Sequence, residues 1–327
     1  MNYGLPYKGS KSKLAARILE CIPSASVFVD LFCGGCAVAH AALLSGRFGK
    51  VVINDIEGDV SRLFADAVNG RFRNETRWIS REDFFRLKDT EPYVRYCWSF
   101  GNNGRDYLYS KAVEPYKRAV HYAVVFGDFA ELRRLCPLVA DDAEKALEGL
   151  TTKKTRRVEI GRAIVRRLRG CKPEDLKSNP LYGQIRLKSG GTVRSQRLES
   201  LQSLERLESL ESLERLESLE RLERLNMDYR DVPLPEGCVV YCDPPYAGTD
   251  GYGVKKDAFD SDTFWEWARK CERPLFISEY AAPPDFVCVR EFSHLSSLSA
   301  TACNKVVERL FVPPHQFTRG ELSLFSF

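Results

Sequence analysis

The sequence predicts an α/β fold: a Rossmann-like sheet built from both ends of the chain and interrupted by a mostly helical insert. Three observations predict it. Residues 27–32 (Val-Phe-Val-Asp-Leu-Phe) are a buried-strand run that ends in Cys33-Gly34-Gly35-Cys36, and the small residues from Ala37 to Leu44 then read as a helix. Strand, glycine turn and helix form the opening half of a Rossmann-like unit, in which glycine lets a ligand approach the backbone. Residues 238–242 (Cys-Val-Val-Tyr-Cys) are a second β-type run, stopped by Asp243-Pro244-Pro245-Tyr246. Between these runs, from Gly70 to Arg197, the pattern changes to helix and loop with aromatic and basic residues interleaved. With 327 residues, 44% hydrophobic and 29% charged, the chain has room for one large or two modest domains. The expected divisions are residues 1–70 and 226–327 for the sheet domain, 71–197 for the insert and 198–225 for a connector.

Taken in order, the chain opens with a short basic glycine loop, Tyr7-Lys8-Gly9-Ser10-Lys11, before a helix whose apolar face is Leu14, Ile18 and Leu19. Residues 50–55 (Lys-Val-Val-Ile-Asn-Asp) read as the second strand, and Asp55 stands 21 positions after Gly34. A carboxylate at the end of that strand is placed to hold ribose hydroxyls, with a plain helix N-cap as the alternative. The glycine turn is not G-x-G-x-x-G, so the ligand reads as a nucleoside lacking a pyrophosphate. Cys33 and Cys36 match C-x-x-C, yet no second such pair exists and the chain has four histidines, so neither a metal nor a redox role is expected. Eleven cysteines without a secretory segment predict reduced thiols and a cytoplasmic protein. No run approaches 18 apolar residues, and no membrane span is expected. Farther on, residues 259–270 read as a helix, 275–280 as a buried strand and 305–312 as an antiparallel last strand.

The insert carries a local charge imbalance. From Thr151 to Arg197 there are 14 Lys/Arg against 3 Asp/Glu, and this excess adjoins the aromatic stretch from Tyr93 to Tyr109. A charge run is usually a solvated face, but basic residues next to aromatics point to nucleic acid. Asn and Arg read base edges and Lys and Arg neutralise phosphates. The candidates are therefore Asn102, Asn103 and Arg105, at an expected Asn-Gly turn, with Lys153, Lys154, Arg156 and Arg157. Residues 198–225 hold ten leucines, one at every third position, among eight glutamates and four arginines. A period of three drifts about 60° per triplet on a helix and circles it, so no continuous seam is expected. The segment reads as an expandable connector, with contact to a partner protein as the lesser possibility.

Asp243-Pro244-Pro245-Tyr246 carries the chemistry. Two prolines cannot continue a strand ladder, so the chain leaves the sheet in a stiff turn that fixes the Asp243 carboxylate, the Pro244 carbonyl and the Tyr246 ring around one space. An exocyclic amine on a heteroaromatic ring needs that set. Its lone pair is delocalised into the ring, and two acceptors on its N–H groups would localise it while the tyrosine stacks on the ring. No cysteine follows a proline, so the nucleophilic Pro-Cys of cytosine ring methylation is missing.

Three groups in this order, Tyr7-Lys8-Gly9-Ser10-Lys11, Asp30-Leu31-Phe32-Cys33-Gly34 and Asp243-Pro244-Pro245-Tyr246, resemble the Dam-like DNA adenine-N6 methyltransferases, phage-borne members included. The resemblance covers residues 3–60 and 226–312, and more weakly the aromatic loop near Asn102. It implies an S-adenosylmethionine-dependent enzyme, with or without a cognate restriction partner, that methylates a flipped adenine in double-stranded DNA, and an insert that recognises the target. By resemblance, Tyr7 and Lys11 lie near S-adenosylmethionine, Phe32 and Gly34 line its pocket, Asp30 faces the methionine end, Asp55 the ribose and Asp228 the adenine. Asp243, Pro244 and Tyr246 would hold the target base. Cys36 stands where the family commonly has a further glycine, and the leucine triplets are not part of its pattern. A cytosine-N4 or RNA adenine methyltransferase would share the chemistry, and an inactive DNA-binding relative would share the fold.

Overall fold

The computed structural model describes residues 3–5, 10–169, 201–213, 219–245, 259–296 and 304–316. The chain divides into two compact units, Met1–Asn69 with Arg215–Phe327, and Gly70–Glu214.

In chain order the first unit begins with α1 (Ala15–Glu20), β1 (Ala25–Asp30), α2 (Ala37–Ser45), β2 (Phe48–Asn54) and α3 (Gly58–Val68). The second unit holds α4 (Arg81–Leu87), α5 (Pro92–Cys97), α6 (Glu114–Phe126), α7 (Ala130–Leu135), α8 (Pro137–Leu147), α9 (Lys153–Arg169) and α10 (Gln202–Leu213). The first unit then resumes with β3 (Leu222–Leu225), β4 (Cys238–Cys242), α11 (Ser261–Lys270), β5 (Leu275–Glu279), β6 (Val287–Ser296) and β7 (Asn304–Val312).

The strands form one seven-stranded sheet in the order β3-β2-β1-β4-β5-β7-β6. Its first five strands are parallel, and β7 runs antiparallel between β5 and β6. This is the α/β, Rossmann-like architecture the sequence predicts. Every residue of β4 and β5 is buried, as parallel strands covered on both faces must be, and that is why β4 and the first three residues of β5 read as apolar runs. Phe28, Val29, Val240, Leu275, Ile277 and Phe264 of α11 are fully buried in the core. Asp260 caps α11 by accepting from the backbone N–H groups of Asp262 and Thr263. Chain order reverses between β1 and β4: β2 and β3 lie to one side, β5 to the other. A crevice opens outside the carboxyl ends of the strands at such a reversal, and ligands bind there.

The second unit has an aromatic centre. Trp78 stacks on Tyr109 with ring centroids 5.6 Å apart, and Trp98 meets Trp78 edge-on at 5.1 Å. Tyr93, Trp98, Tyr107 and Tyr109, which the sequence offers as neighbours of nucleic acid, are core residues. Ser99 and Tyr107 pair across a short hairpin. Its bend places Gly101 and Asn102 at positive φ, with Phe100 65% exposed.

The leucine repeat departs from expectation. Leu201, Leu204, Leu207, Leu210 and Leu213 are all buried, so this part is no loose connector. The row does drift, by about 240° from Leu201 to Leu213, but a full circle would take about six triplets. The remaining arc carries Gln202, Ser209 and Ser212, which are exposed. A helix covered on most of its circumference accommodates a drifting row that a two-helix seam could not. Beyond it, Leu222–Leu225 leave the helical pattern and pair with β2 as the edge strand β3.

Candidate active site

β1 ends in Asp30 and β4 is followed at once by Asp243, so the reversal point carries a carboxylate on each side. Asp30 is paired in register with Tyr241, and Leu31 donates its N–H to the Tyr241 carbonyl at 3.0 Å. Asp30 is 1% exposed and its Oδ1 has no hydrogen-bond partner among the described residues. Burial, and then the charges of Asp243 and Asp55, push its carboxyl well above the usual range, although backbone N–H groups of Ala39 and Phe32 oppose the shift. Pro244 is buried behind Asp243.

Asp55 follows β2. Its Oδ2 accepts from the Gly34 N–H at 2.9 Å and its Oδ1 from the Glu57 N–H at 2.8 Å. The carboxylate thus fastens the glycine turn to the second strand. Burial raises its pKa, and those two backbone bonds pull it back. Gly34 and Cys36 both hold positive φ, 43° and 57°. Cys36 therefore occupies the conformation a glycine would take freely, which accounts for the glycine this turn commonly carries. Burial pushes the thiols of Cys33 and Cys36 up, so neither is a ready thiolate.

The first segment lies on this turn. Leu5 donates its N–H to the Gly35 carbonyl at 2.8 Å, and Gly4 donates to Nδ1 of His40 at 2.9 Å. Gly4 has φ 67°, and a Cβ there would stand 2.4 Å from the Gly35 oxygen, so only glycine fits.

Lys11 reaches the other carboxylate. Its Nζ is 2.8 Å from Oδ1 of Asp243 and 3.2 Å from Oε1 of Glu308 on β7. Burial opposes the charge, but the two carboxylates outweigh it and hold the ammonium above its ordinary range. Glu279, the last residue of β5, is buried beside them, and burial pushes its carboxyl up to about 7.

Of the other candidates, Phe32 packs among Tyr229, Phe259 and Phe264 at 5.2–5.7 Å. Asp228 caps the turn at Tyr229–Asp231 and pairs with Arg230 at 2.8 Å. Tyr7 and Tyr246 lie outside the described residues. Sequence reasoning missed Glu308, Glu279 and Asn54. The buried Asn54 amide donates to the carbonyls of Leu31 and Met227 and its oxygen accepts from the Met227 N–H, which ties β1, β2 and the segment after β3 together. A strand-end asparagine among apolar residues was the available signal. Glu308 had none, because its meaning depends on β7 lying behind Lys11.

In the second unit the basic candidates have protein partners. Arg157 grips Glu208 with two bonds, at 2.8 and 2.9 Å, and Glu205 with a third at 3.0 Å. Lys153 pairs with Glu211, and Arg156 donates to the Ala123 carbonyl. The glutamates of the repeat thus absorb two of the four cations expected to meet phosphates, because α9 and α10 pack together, and the Ala123 carbonyl takes a third. Lys154 is exposed. Asn103 folds its side chain back onto Arg105, Asp106 and the hairpin backbone, while Arg105 is exposed. Among the described residues no group of three or more His, Cys, Asp or Glu could hold a metal ion, and no helix is long and apolar enough to cross a membrane.

Residues 7–137 match the family model of D12 class N6 adenine-specific DNA methyltransferases. Over that stretch, about two fifths of the chain, the sequence is similar to the D12 class. The Dam-like resemblance is thereby borne out, and the family is one of enzymes whose activity is adenine-N6 methylation of DNA. The D12 match takes in Lys11, Asp30, Gly34, Asp55 and the hairpin, and ends before the leucine repeat and Asp243. No curated protein matches the chain.

Proposed function

We propose that the protein transfers a methyl group from S-adenosylmethionine to N6 of an adenine turned out of double-stranded DNA at a specific site. S-adenosylmethionine, when bound, supplies an electrophilic methyl carbon on a sulfonium. The residues present fit it. Asp30 offers a buried carboxylate with an unpartnered oxygen, suited to the cationic methionine end, and Asp55 stands beside the Gly34 turn where ribose hydroxyls would be held. Phe32 would line the pocket. Tyr7 and Asp228 remain assigned to the cofactor by resemblance alone.

The observation that carries the proposal is Asp243 at the reversal point, half-buried, with Oδ1 turned to Lys11 at 2.8 Å. That bond leaves Oδ2 to accept from the adenine amine, with the Pro244 carbonyl as second acceptor and the Tyr246 ring beneath the base. Accepting both N–H groups localises the lone pair on N6 and readies it for in-line attack. No covalent enzyme intermediate is needed. Extruding the base costs a few kcal/mol, and stacking on Tyr246, about 1–3 kcal/mol, offsets much of that. The hairpin with Asn102, Asn103 and Arg105 is the candidate base-reading element, and Lys154 a candidate phosphate contact.

Incubating purified protein with S-adenosylmethionine and plasmid DNA, then sequencing for modified bases, tests the reading. N6-methyladenine at one short sequence is expected. N4-methylcytosine, or methylation of RNA but not DNA, would contradict it.

A further inference from the structure

Lys11 poses a difficulty for a carboxylate that has to stabilise positive charge. As N6 donates its lone pair to the methyl carbon, the carbon–sulfur bond breaks with its electrons left on sulfur. Positive charge passes to N6 until one N6 proton leaves, with Asp243 as the nearest base. An acceptor is more effective the more negative its surroundings. Yet Oδ1 of Asp243 is buried against the Lys11 ammonium at 2.8 Å, and an Asp243–Lys11 pair alone is neutral.

Glu308 changes that balance. It is 3% exposed on β7, opposite Phe292 of β6, with Oε1 3.2 Å from the same ammonium. Burying a second carboxylate against a cation that already has one is unfavourable unless the extra charge has a use. Arg309, the next residue on β7, turns to Glu291 and the Tyr280 carbonyl. We propose that Glu308 is a positioning residue: seated behind Lys11, it supplies the negative charge that Lys11 would otherwise cancel at Asp243, and it fixes the lysine so that Asp243 presents Oδ2 to the amine. The Lys11–Asp243–Glu308 triad then carries one net negative charge beside the reacting nitrogen. This role rests on the reading of Asp243 as the amine's acceptor.

Glu308→Gln keeps the shape and removes the charge; Glu308→Asp keeps the charge on a shorter arm. Single-turnover methyl transfer at saturating cofactor and duplex DNA should slow about 10–100-fold in Glu308→Gln, with both affinities within about twofold of wild type. Glu308→Asp should recover part of the rate. In the protein alone, nuclear magnetic resonance of the Lys11 ammonium should show it titrating lower in Glu308→Gln, because one of its two carboxylates is gone. A Glu308→Gln enzyme at wild-type rate, or one slowed no more than Glu308→Asp with affinities lost in both, overturns the role alone. A wild-type protein that methylates no adenine overturns the proposed function, and this role with it.

Discussion

Asp30, Asp55 and Asp243 each stand at or directly after a strand end, and their surroundings set them to different tasks. Asp30 is pushed toward its neutral form by burial and by the charges of Asp243 and Asp55. Asp55 is tied down by two backbone N–H groups. Asp243 is tied to a lysine. Because Asp55 fastens the Gly34 turn and faces the proposed ribose position, Asp55→Ala should weaken S-adenosylmethionine by about 1–3 kcal/mol, the cost of leaving hydrogen-bonding groups unpaired. Calorimetry on the folded variant measures it, and unchanged affinity would remove Asp55 from the pocket. Asp55 and Asp243 were legible beforehand because each ends or follows an apolar run, and a strand end in a parallel sheet is where ligands collect; Asp30, inside the run 27–32, was reached by resemblance alone. Glu308 was not legible. It sits inside a strand, and its role depends on β7 entering antiparallel between β5 and β6.

Elements were legible where one physical signal dominated. β1, β4 and β5 are short apolar runs bounded by turn residues, and a helix after the glycine turn follows from the crossover a parallel sheet requires. β6 was missed, since Val287–Ser296 has charged and polar residues spread through it. The leucine repeat misled for a different reason. Its period is wrong for a seam, but a short helix buried around most of its circumference needs no seam. Arg206, within it, donates to the carbonyls of Cys97 and Ser99 at 2.8 Å and so anchors the start of the hairpin. Leu210 is fully buried, and Leu210→Ala should cost about 2–5 kcal/mol of stability. Chemical denaturation gives the value. A loss under about 0.5 kcal/mol, the range of substitutions away from packed sites, would return the repeat to a connector.

At the scale of the whole molecule, a sheet domain carries the carboxylates of the proposed reaction and a helical unit carries the hairpin and what remains of the basic surface. The charge run from Thr151 onward over-predicted that surface, because half of a basic face can be neutralised by an acidic helix far away in sequence. Lys153 and Arg157 meet glutamates 58 and 51 positions on, which no local count could anticipate. The central claim is that Asp243 accepts from the adenine amine during transfer. Asp243→Ala should then lose an interaction made chiefly in the transition state, about 3–5 kcal/mol or 10²–10⁴ in rate, while cofactor and DNA affinities change far less. Single-turnover transfer of labelled methyl to adenine, with cofactor and duplex DNA saturating, measures this directly. The account predicts a drop of at least a hundredfold in Asp243→Ala; a variant that methylates adenine at near wild-type rate would contradict it.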